Sequence, residues 1–413
     1  MHRETKFLFF VILLVGFFDW ISVGFVYPLF SSILYQPDSH FINPAASDTV
    51  RGIWLGLLMA LTPMLNFVFS PIVGLISDRQ GRKKVLQWTL ALNIVGYVVS
   101  YLGIVSQSLS ILVLSRIFVG IGSSNGGVLR AIIADISVIG EKGKNFGLLN
   151  TATQLGYAFG PWLGTLLQKV SFWGLEGVTT PFLFAILFSV FSFVFLYLFL
   201  KETFAEKYGV HSHVFHVRDL KDVFRLKGLG VLLTGIFIVS FGWAYYWGFL
   251  PVTWIKELQL TPNDVGDFFA YASLVYALCS SLVIRPILDK WGEGRVTFLS
   301  VIGLGISVGL LYFKVSYEIF WIMIPVQQLM LALFLAGSPT VISDLVSPTK
   351  QGQAMGVFAS VKSLGYTLSP MLSGAFIGLS YRLPMALGAL SFFVAVILIY
   401  WKYGKRIWTM HPR

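Results

Sequence analysis

The chain has 413 residues, 56% of them apolar and only 12% charged, with a formal net charge of +11 and a mean hydropathy of +0.77. A soluble chain of this length would carry about a quarter of its residues as charges, so the composition excludes a soluble globular protein. The single cysteine, Cys279, excludes an intrachain disulfide framework.

A helix crosses the hydrocarbon in about 20 apolar residues. The first apolar run, Phe7 to Phe30, is broken only by Asp19 and lacks a small-residue cleavage site, so it predicts a retained first helix. Further windows follow at 53–76, 85–105, 110–132, 146–168, 180–200, 229–251, 268–284, 296–313, 319–343, 354–378 and 383–401. Together they predict an all-α membrane protein of 12 transmembrane helices. With the N-terminus placed in the cytoplasm, 22 of the 30 Lys and Arg fall in cytoplasmic segments. The outer loops hold 5, namely Arg51, Lys169, Lys256, Lys314 and Arg382, while Arg116, Arg130 and Lys362 lie inside spans. This bias predicts a multi-pass inner (plasma) membrane protein with both termini cytoplasmic. The net charge then reports topology and contact with the lipid bilayer, and no nucleic-acid partner is expected.

Residues 201–228 form the longest cytoplasmic loop. Val217, Leu220, Phe224 and Lys227 follow helical spacing and predict a short amphipathic helix on the membrane surface. The run "HSHVFH" (His211, His213, His216) reads as a solvated linker, with metal binding as the alternative; no metal site is expected.

The chain repeats. "GLISDRQGRKK" at Gly74 returns as "RPILDKWGEGR" at Arg285, 211 positions on. Residues 131–164 align without a gap on 340–373 with nine identities, among them Asp135/Asp344, Gly156/Gly365, Tyr157/Tyr366 and Pro161/Pro370. Two pseudo-symmetric six-helix halves follow: 1–200 and 229–413, joined by the 201–228 linker. Such halves suit alternating access around a central site.

Twelve spans in two halves, with "GLISDRQGRKK" between spans two and three, resemble the major facilitator superfamily, whose signature G-x-x-x-D-R-x-G-R-[KR] this loop matches throughout. "LSRIFVGIG" in span four is similar to the family's R-x-x-x-G element. "GYAFGPWLG" in span five is similar to the G-x-x-x-G-P-x-x-G pattern of its drug–proton antiporters, with Thr165 in place of the final glycine. "FDWISVGFVYP" and "IADIS" resemble the tetracycline and multidrug exporter branch. The resemblance implies a proton-coupled secondary transporter, acting as a monomer without cofactor beyond the proton, that exports a small amphipathic molecule (drug, metabolite or siderophore). The alternative is a proton-coupled importer of a nutrient or other small solute. Tetracycline exporters carry acids in spans three and nine and a histidine in span eight. This chain instead has Gln87 and Asn93 in span three and neither of the other features. An enzyme is not expected, because the spans hold no nucleophile with a base and no Walker-type loop appears. A non-transporting sensor would tolerate loss of the charges within the spans.

Four groups of residues carry the expected chemistry. In the signature loop, Gly74 and Gly81 allow a tight turn, Arg79 anchors to the basic face, and the resemblance implies that Asp78 meets the start of span eleven near Met355 while Arg82 pairs with Asp135. This latch would shut the cytoplasmic side; the copy keeps Asp289 and Gly292 but has Glu293 where Arg82 stands, so its latch, near Asp344, is weaker. Asp19 is the only acid within the spans, and a charge at the bilayer centre costs about 2.5–3.5 kcal/mol. Counted from the window edges at 1.5 Å per residue, Asp19 and Arg116 reach about the same depth, which predicts an Asp19–Arg116 pair as the proton-coupling centre, with a structural pair that never titrates as the alternative and pKa tuning or anion binding as the role of Arg116.

Gly156, Gly160 and Gly164 recur every four residues with Pro161, and Gly365 and Pro370 repeat the pattern, predicting close-packed gates between the halves. Gln154, Gln327 and Gln328, with Trp243, Tyr246 and Trp247, are candidates for a substrate cavity; interhelical bonding and lipid-facing filler are the alternatives. Trp254 is expected in the interfacial aromatic belt, and Lys362 is expected to snorkel to the headgroups.

Overall fold

Each of the apolar windows is largely helical in the computed structural model, which describes residues 3–36, 41–137, 142–169, 177–203, 229–346 and 351–407. The histidines of the central linker and its expected amphipathic helix lie outside the described residues. The first six spans are α1 (Arg3–Tyr35), α2 (Asp48–Gln80), α3 (Arg82–Val105), α4 with α5 (Leu109–Gly122 and Gly126–Ile136), α6 (Lys142–Gln168) and α7 (Thr179–Phe199). The second six are α8 (Leu229–Glu257), α9 with α10 (Pro262–Leu278 and Ile284–Trp291), α11 (Glu293–Phe313), α12 (Tyr317–Asp344), α13 (Gln351–Phe376) and α14 (Leu383–Ile407). Among the described residues there is no strand.

Among the described residues, ten spans are long and apolar enough to cross a bilayer by length and composition alone. The other two, α6 and α13, carry the glycine–proline repeat, where Gly, Ser, Thr and Asn replace apolar residues. Two spans are broken internally. Span four passes through a 3-10 turn at Ser123–Asn125, within "GSSNGG", and span eight through a π-helical turn at Cys279–Val283. Such turns release backbone from the regular ladder and often mark functional positions.

The chain forms two compact units, Met1–Pro44 with Leu61–Phe215, and Ala45–Ala60 with His216–Arg413. In the first, α1 packs along α6 and α7, and α3 along α4 and α7. In the second, α8 packs along α13 and α14, and α11 along α12 and α14. The pairing of spans one, three, five and six is thus repeated by spans seven, nine, eleven and twelve, so the sequence repeat is a structural one. Val11, Ile12, Leu86, Leu90, Val128, Leu129 and Ile132 form one core of the first unit.

The first sixteen residues of the second unit belong to the start of span two. There a Cβ on Gly52 would collide with the Gly374 carbonyl oxygen, and one on Gly56 with that of Pro370. Asp48, which opens α2, pairs with Lys256 at 3.0 Å and accepts a hydrogen bond from the Tyr381 hydroxyl. Beside them Arg382 pairs with Glu257 at 2.9 Å.

The glycine seams run differently from the expectation. Cβ atoms on Gly156, Gly160 and Gly164 would meet the backbone of Phe17, Gly24 and Phe25 on α1. A Cβ on Gly365 would meet Phe241 and Ser240 on α8. The contacts of these glycines lie within each half, span five on span one and span eleven on span seven, while the Pro370 carbonyl faces Gly56 of span two, in the first half. The spacing of small residues reports a close helix neighbour but cannot say which helix it is. Trp254 is also placed otherwise than expected: it is fully buried, stacked on Phe268 and edge-on to Phe269 and Phe320. Lys362 is half-buried, with its ammonium 5.9 Å from the Tyr366 ring centre.

Candidate intramembrane site

The signature loop is a helix break of one residue. α2 ends at Gln80, Gly81 takes φ 97°, and α3 starts at Arg82. That conformation belongs to glycine, because a Cβ would be strained there. Gly292 repeats it with φ 78° between α10 and α11. Gly74, by contrast, lies inside α2 with open space where a Cβ would go, so only Gly81 makes the turn. Arg82 Nε pairs with Asp135 Oδ2 at 3.3 Å, as expected, and its Nη1 pairs with Asp78 Oδ1, which was expected instead to meet the start of span eleven. Arg79 is exposed. In the second copy, among the described residues, Asp289 pairs only with Arg285, at 3.8 Å on an exposed surface, where an ion pair contributes little. Asp344 closes α12, and its side chain lies outside the described residues.

The sequence reading missed Glu202. Its carboxylate, from the end of span six, accepts hydrogen bonds from the backbone N–H of Arg82 at 2.8 Å and of Lys83 at 3.1 Å. These are the first two orphan donors of α3, at its positive dipole end. A Cβ at Gly81 would press on this carboxylate, so the glycine serves both the turn and the cap.

Asp19 and Arg116 are both buried, at 2% and 4% exposure, yet they do not pair. Asp19 Oδ1 accepts from Asn93 Nδ2 at 2.7 Å and Oδ2 from Asn125 Nδ2 at 2.9 Å. Asn125 is presented by the 3-10 turn that breaks span four. Arg116 Nη2 donates to Ser100 Oγ, Nε donates to Ser115 Oγ at 3.3 Å, and the guanidinium lies 5.2 Å from the Phe30 ring centre. Asn93, Tyr97 and Ser100 stand on one face of α3 at i, i+4 and i+7. The two charges therefore sit about 10 Å apart along that helix, with Tyr97 between their partners. The expected common depth fails because α1 is 33 residues long and begins ahead of its apolar window, and each residue of misplaced edge shifts the count by about 1.5 Å. Asn93 stood out in the sequence only as a span-three residue where tetracycline exporters carry an acid, and Asn125 had no signal beyond being an uncharged polar residue in the membrane.

Of the cavity candidates, spans seven and ten bring together Tyr246 and Gln327, whose Oε1 accepts from the Tyr246 hydroxyl at 2.9 Å. Trp243 stacks on Trp247 with ring centres 5.1 Å apart, and Trp247 meets Phe269 edge-on. The Nε2 groups of Gln327 and Gln328 are buried and make no hydrogen bond among the described residues. Gln154 is half-buried on α6.

A twelve-span helical protein built from two repeated units, with charges buried inside the first, is a membrane transporter by its architecture. The sequence profile of the Major Facilitator Superfamily matches residues 8–231 and 232–410, and the chain belongs to this family. It is 28% identical over 373 residues to the class G tetracycline resistance protein of Vibrio anguillarum, covering 87% of each chain. It is 23% identical over 411 residues to multidrug resistance protein 2 of Bacillus subtilis, covering 98% of this chain and 97% of that one. The crystal structure of the human organic anion transporter MFSD10 superposes with a TM-score of 0.72 at 19% identity, covering 97% of this chain and 100% of that one, and shows the shared fold. The protein is a transporter and not an enzyme.

Proposed function

We propose that the chain is a proton-coupled secondary transporter that exports a small amphipathic molecule by alternating access, with Asp19 as the proton carrier. One observation carries this: among the described residues, the buried Asp19 carboxylate is held by two neutral amides and no cation. Ionised burial costs about 2.5–3.5 kcal/mol, and hydrogen bonds to a charged group return about 1.5–3 kcal/mol each. The terms are of one size, so a modest change in surroundings tips the group between its two forms. A carboxylate locked to arginine could not take up a proton without leaving a buried cation behind.

The aromatic and glutamine groups of spans seven and ten are the proposed substrate cavity: flat apolar faces beside buried amide donors. Export is favoured by the relatives' names, which speak of tetracycline and multidrug resistance. The basic bias supports an inner-membrane orientation with both termini cytoplasmic. In that orientation the loop cluster of Asp78, Arg82, Asp135 and Glu202 is a cytoplasmic latch.

The test uses inverted membrane vesicles under an imposed pH gradient, with tetracycline and a quinolone as probes. Proton-driven accumulation that is lost in Asp19→Asn supports the reading. Accumulation only in right-side-out vesicles moves the protein to import, and accumulation unchanged in Asp19→Asn removes Asp19 as the carrier.

A further inference from the structure

The proton-carrier reading leaves Arg116 without a role. It is a cation in the membrane interior, and among the described residues no carboxylate pairs with it. Its two hydroxyl acceptors and the Phe30 ring carry no net negative charge, and an uncompensated buried charge is strongly unfavourable. The Nη1 group makes no hydrogen bond among the described residues, so part of the guanidinium fork is open. A second observation points the same way. The Tyr97 hydroxyl is fully buried, has no hydrogen-bond partner among the described residues, and lies within electrostatic range of both Asp19 and Arg116. A phenol O–H and a guanidinium fork are both donors, and what would satisfy both is an acceptor bearing negative charge. Asp19 bonds to neither group: its oxygens accept from Asn93, one helical turn from Tyr97 and two from Ser100, and from Asn125.

We propose that Arg116 and Tyr97 form a binding site for the carboxylate, or other oxyanion, of the transported molecule. Ser100 and Ser115 fix the guanidinium from behind. Their hydroxyls hold Nη2 and Nε, leaving Nη1 for the ligand. The Phe30 ring walls one side and keeps the ion pair from being screened by water. The proposal rests on the transporter reading for the identity of the ligand, but not on proton carriage by Asp19.

The test uses the purified full-length protein in detergent. Benzoate is the probe, benzamide its neutral isostere, and sodium chloride at equal ionic strength the third arm; melting temperature and calorimetric affinity are read. Benzoate, and not benzamide, should raise the melting temperature, and Arg116→Gln should abolish the effect. Tyr97→Phe, which keeps the ring, should weaken benzoate about tenfold or more, the scale of one hydrogen bond to a charged group. Equal shifts by benzoate and benzamide overturn the site, as does an Arg116→Gln protein that responds like the wild type. If Arg116→Gln does not fold, unchanged affinity in Tyr97→Phe overturns it. Equal Arg116-dependent stabilisation by chloride assigns the site to an inorganic anion and overturns the assignment to the transported molecule. Asp19→Asn should still bind benzoate, so proton coupling that persists in Asp19→Asn with binding intact sinks the carrier and leaves this site standing.

Discussion

Asn93 and Ser100 stand seven residues apart on one face of α3, and each holds a buried charge: Asn93 the carboxylate of Asp19, Ser100 the guanidinium of Arg116. One helix thus keeps the two ions about 10 Å apart along its axis. At an effective dielectric constant near 20, opposite charges at that distance attract by about 1.7 kcal/mol. That is enough to make them aware of each other and too little to lock them together. Proton handling and ligand charge can therefore be separated by mutation.

The first prediction follows from the neutral partners of Asp19. Asp19→Asn fixes an uncharged side chain of the same shape beside Asn93 and Asn125. It should fold, insert, and lose proton-driven transport, while passive exchange of substrate continues. The readout is substrate-induced proton release from the solubilised protein across pH. Release equal to the wild type would place the carrier elsewhere and sink the assignment.

The second concerns the seam between α1 and α6. Cβ atoms on Gly24 or Gly160 would meet the opposing backbone, Gly24 at Tyr157 and Gly160 at Gly24 and Ile21. Gly24→Ala and Gly160→Ala each force the same two helices apart, and overpacking of this kind costs about 1–3 kcal/mol. Both should lower the melting temperature, and the double mutant should lose less than the sum, because one separation accommodates both methyls. Strict additivity would mean that the two glycines do not share a seam.

The third joins Gly81 to Glu202. Gly81→Ala adds a methyl at φ 97° and pushes it into the carboxylate that caps α3. Backbone strain in that region costs about 1–3 kcal/mol, and loss of a capping carboxylate about 0.5–2 kcal/mol. Glu202→Ala should therefore destabilise less than Gly81→Ala, and it should partly relieve Gly81→Ala by removing the collision. Thermal melts of the three variants decide it; identical melting with and without Glu202 would show that the carboxylate does not cap the helix.

The spans and the repeat were legible because hydrocarbon thickness imposes run length and because "GLISDRQGRKK" and its copy keep their spacing. Asp19 and Arg116 were legible because charge is rare in the membrane. Their partners were not. Partnership depends on depth and rotation, and a window edge uncertain by a few residues moves a side chain by a helical turn. Asn93 and Asn125 looked ordinary next to an arginine. Glu202 lies 120 residues from the backbone N–H of Arg82 that it caps, and no local pattern links them. The glycine rows marked close packing, but a small-residue spacing is the same whichever helix it faces, and span five faces span one only in the folded chain.

The fourth prediction concerns Tyr381, in the turn between α13 and α14, whose hydroxyl donates to Asp48 beside Lys256. Partial burial, and then the Asp48 carboxylate that holds its proton, push this phenol from its ordinary 10.0 up to about 12. A folded value raised above the unfolded one stabilises the fold while the group is protonated. That contribution is complete below pH 10 and is lost as pH rises through about 12. At neutral pH the bond is intact, and Tyr381→Phe should melt lower than the wild type. The gap between the two proteins should narrow across the alkaline window, because the wild type alone loses a contact there. Comparing the variants at each pH cancels the general effect of base on the chain. A gap that stays constant from pH 10 to 12 would show that Tyr381 and Asp48 do not share a proton in the folded protein.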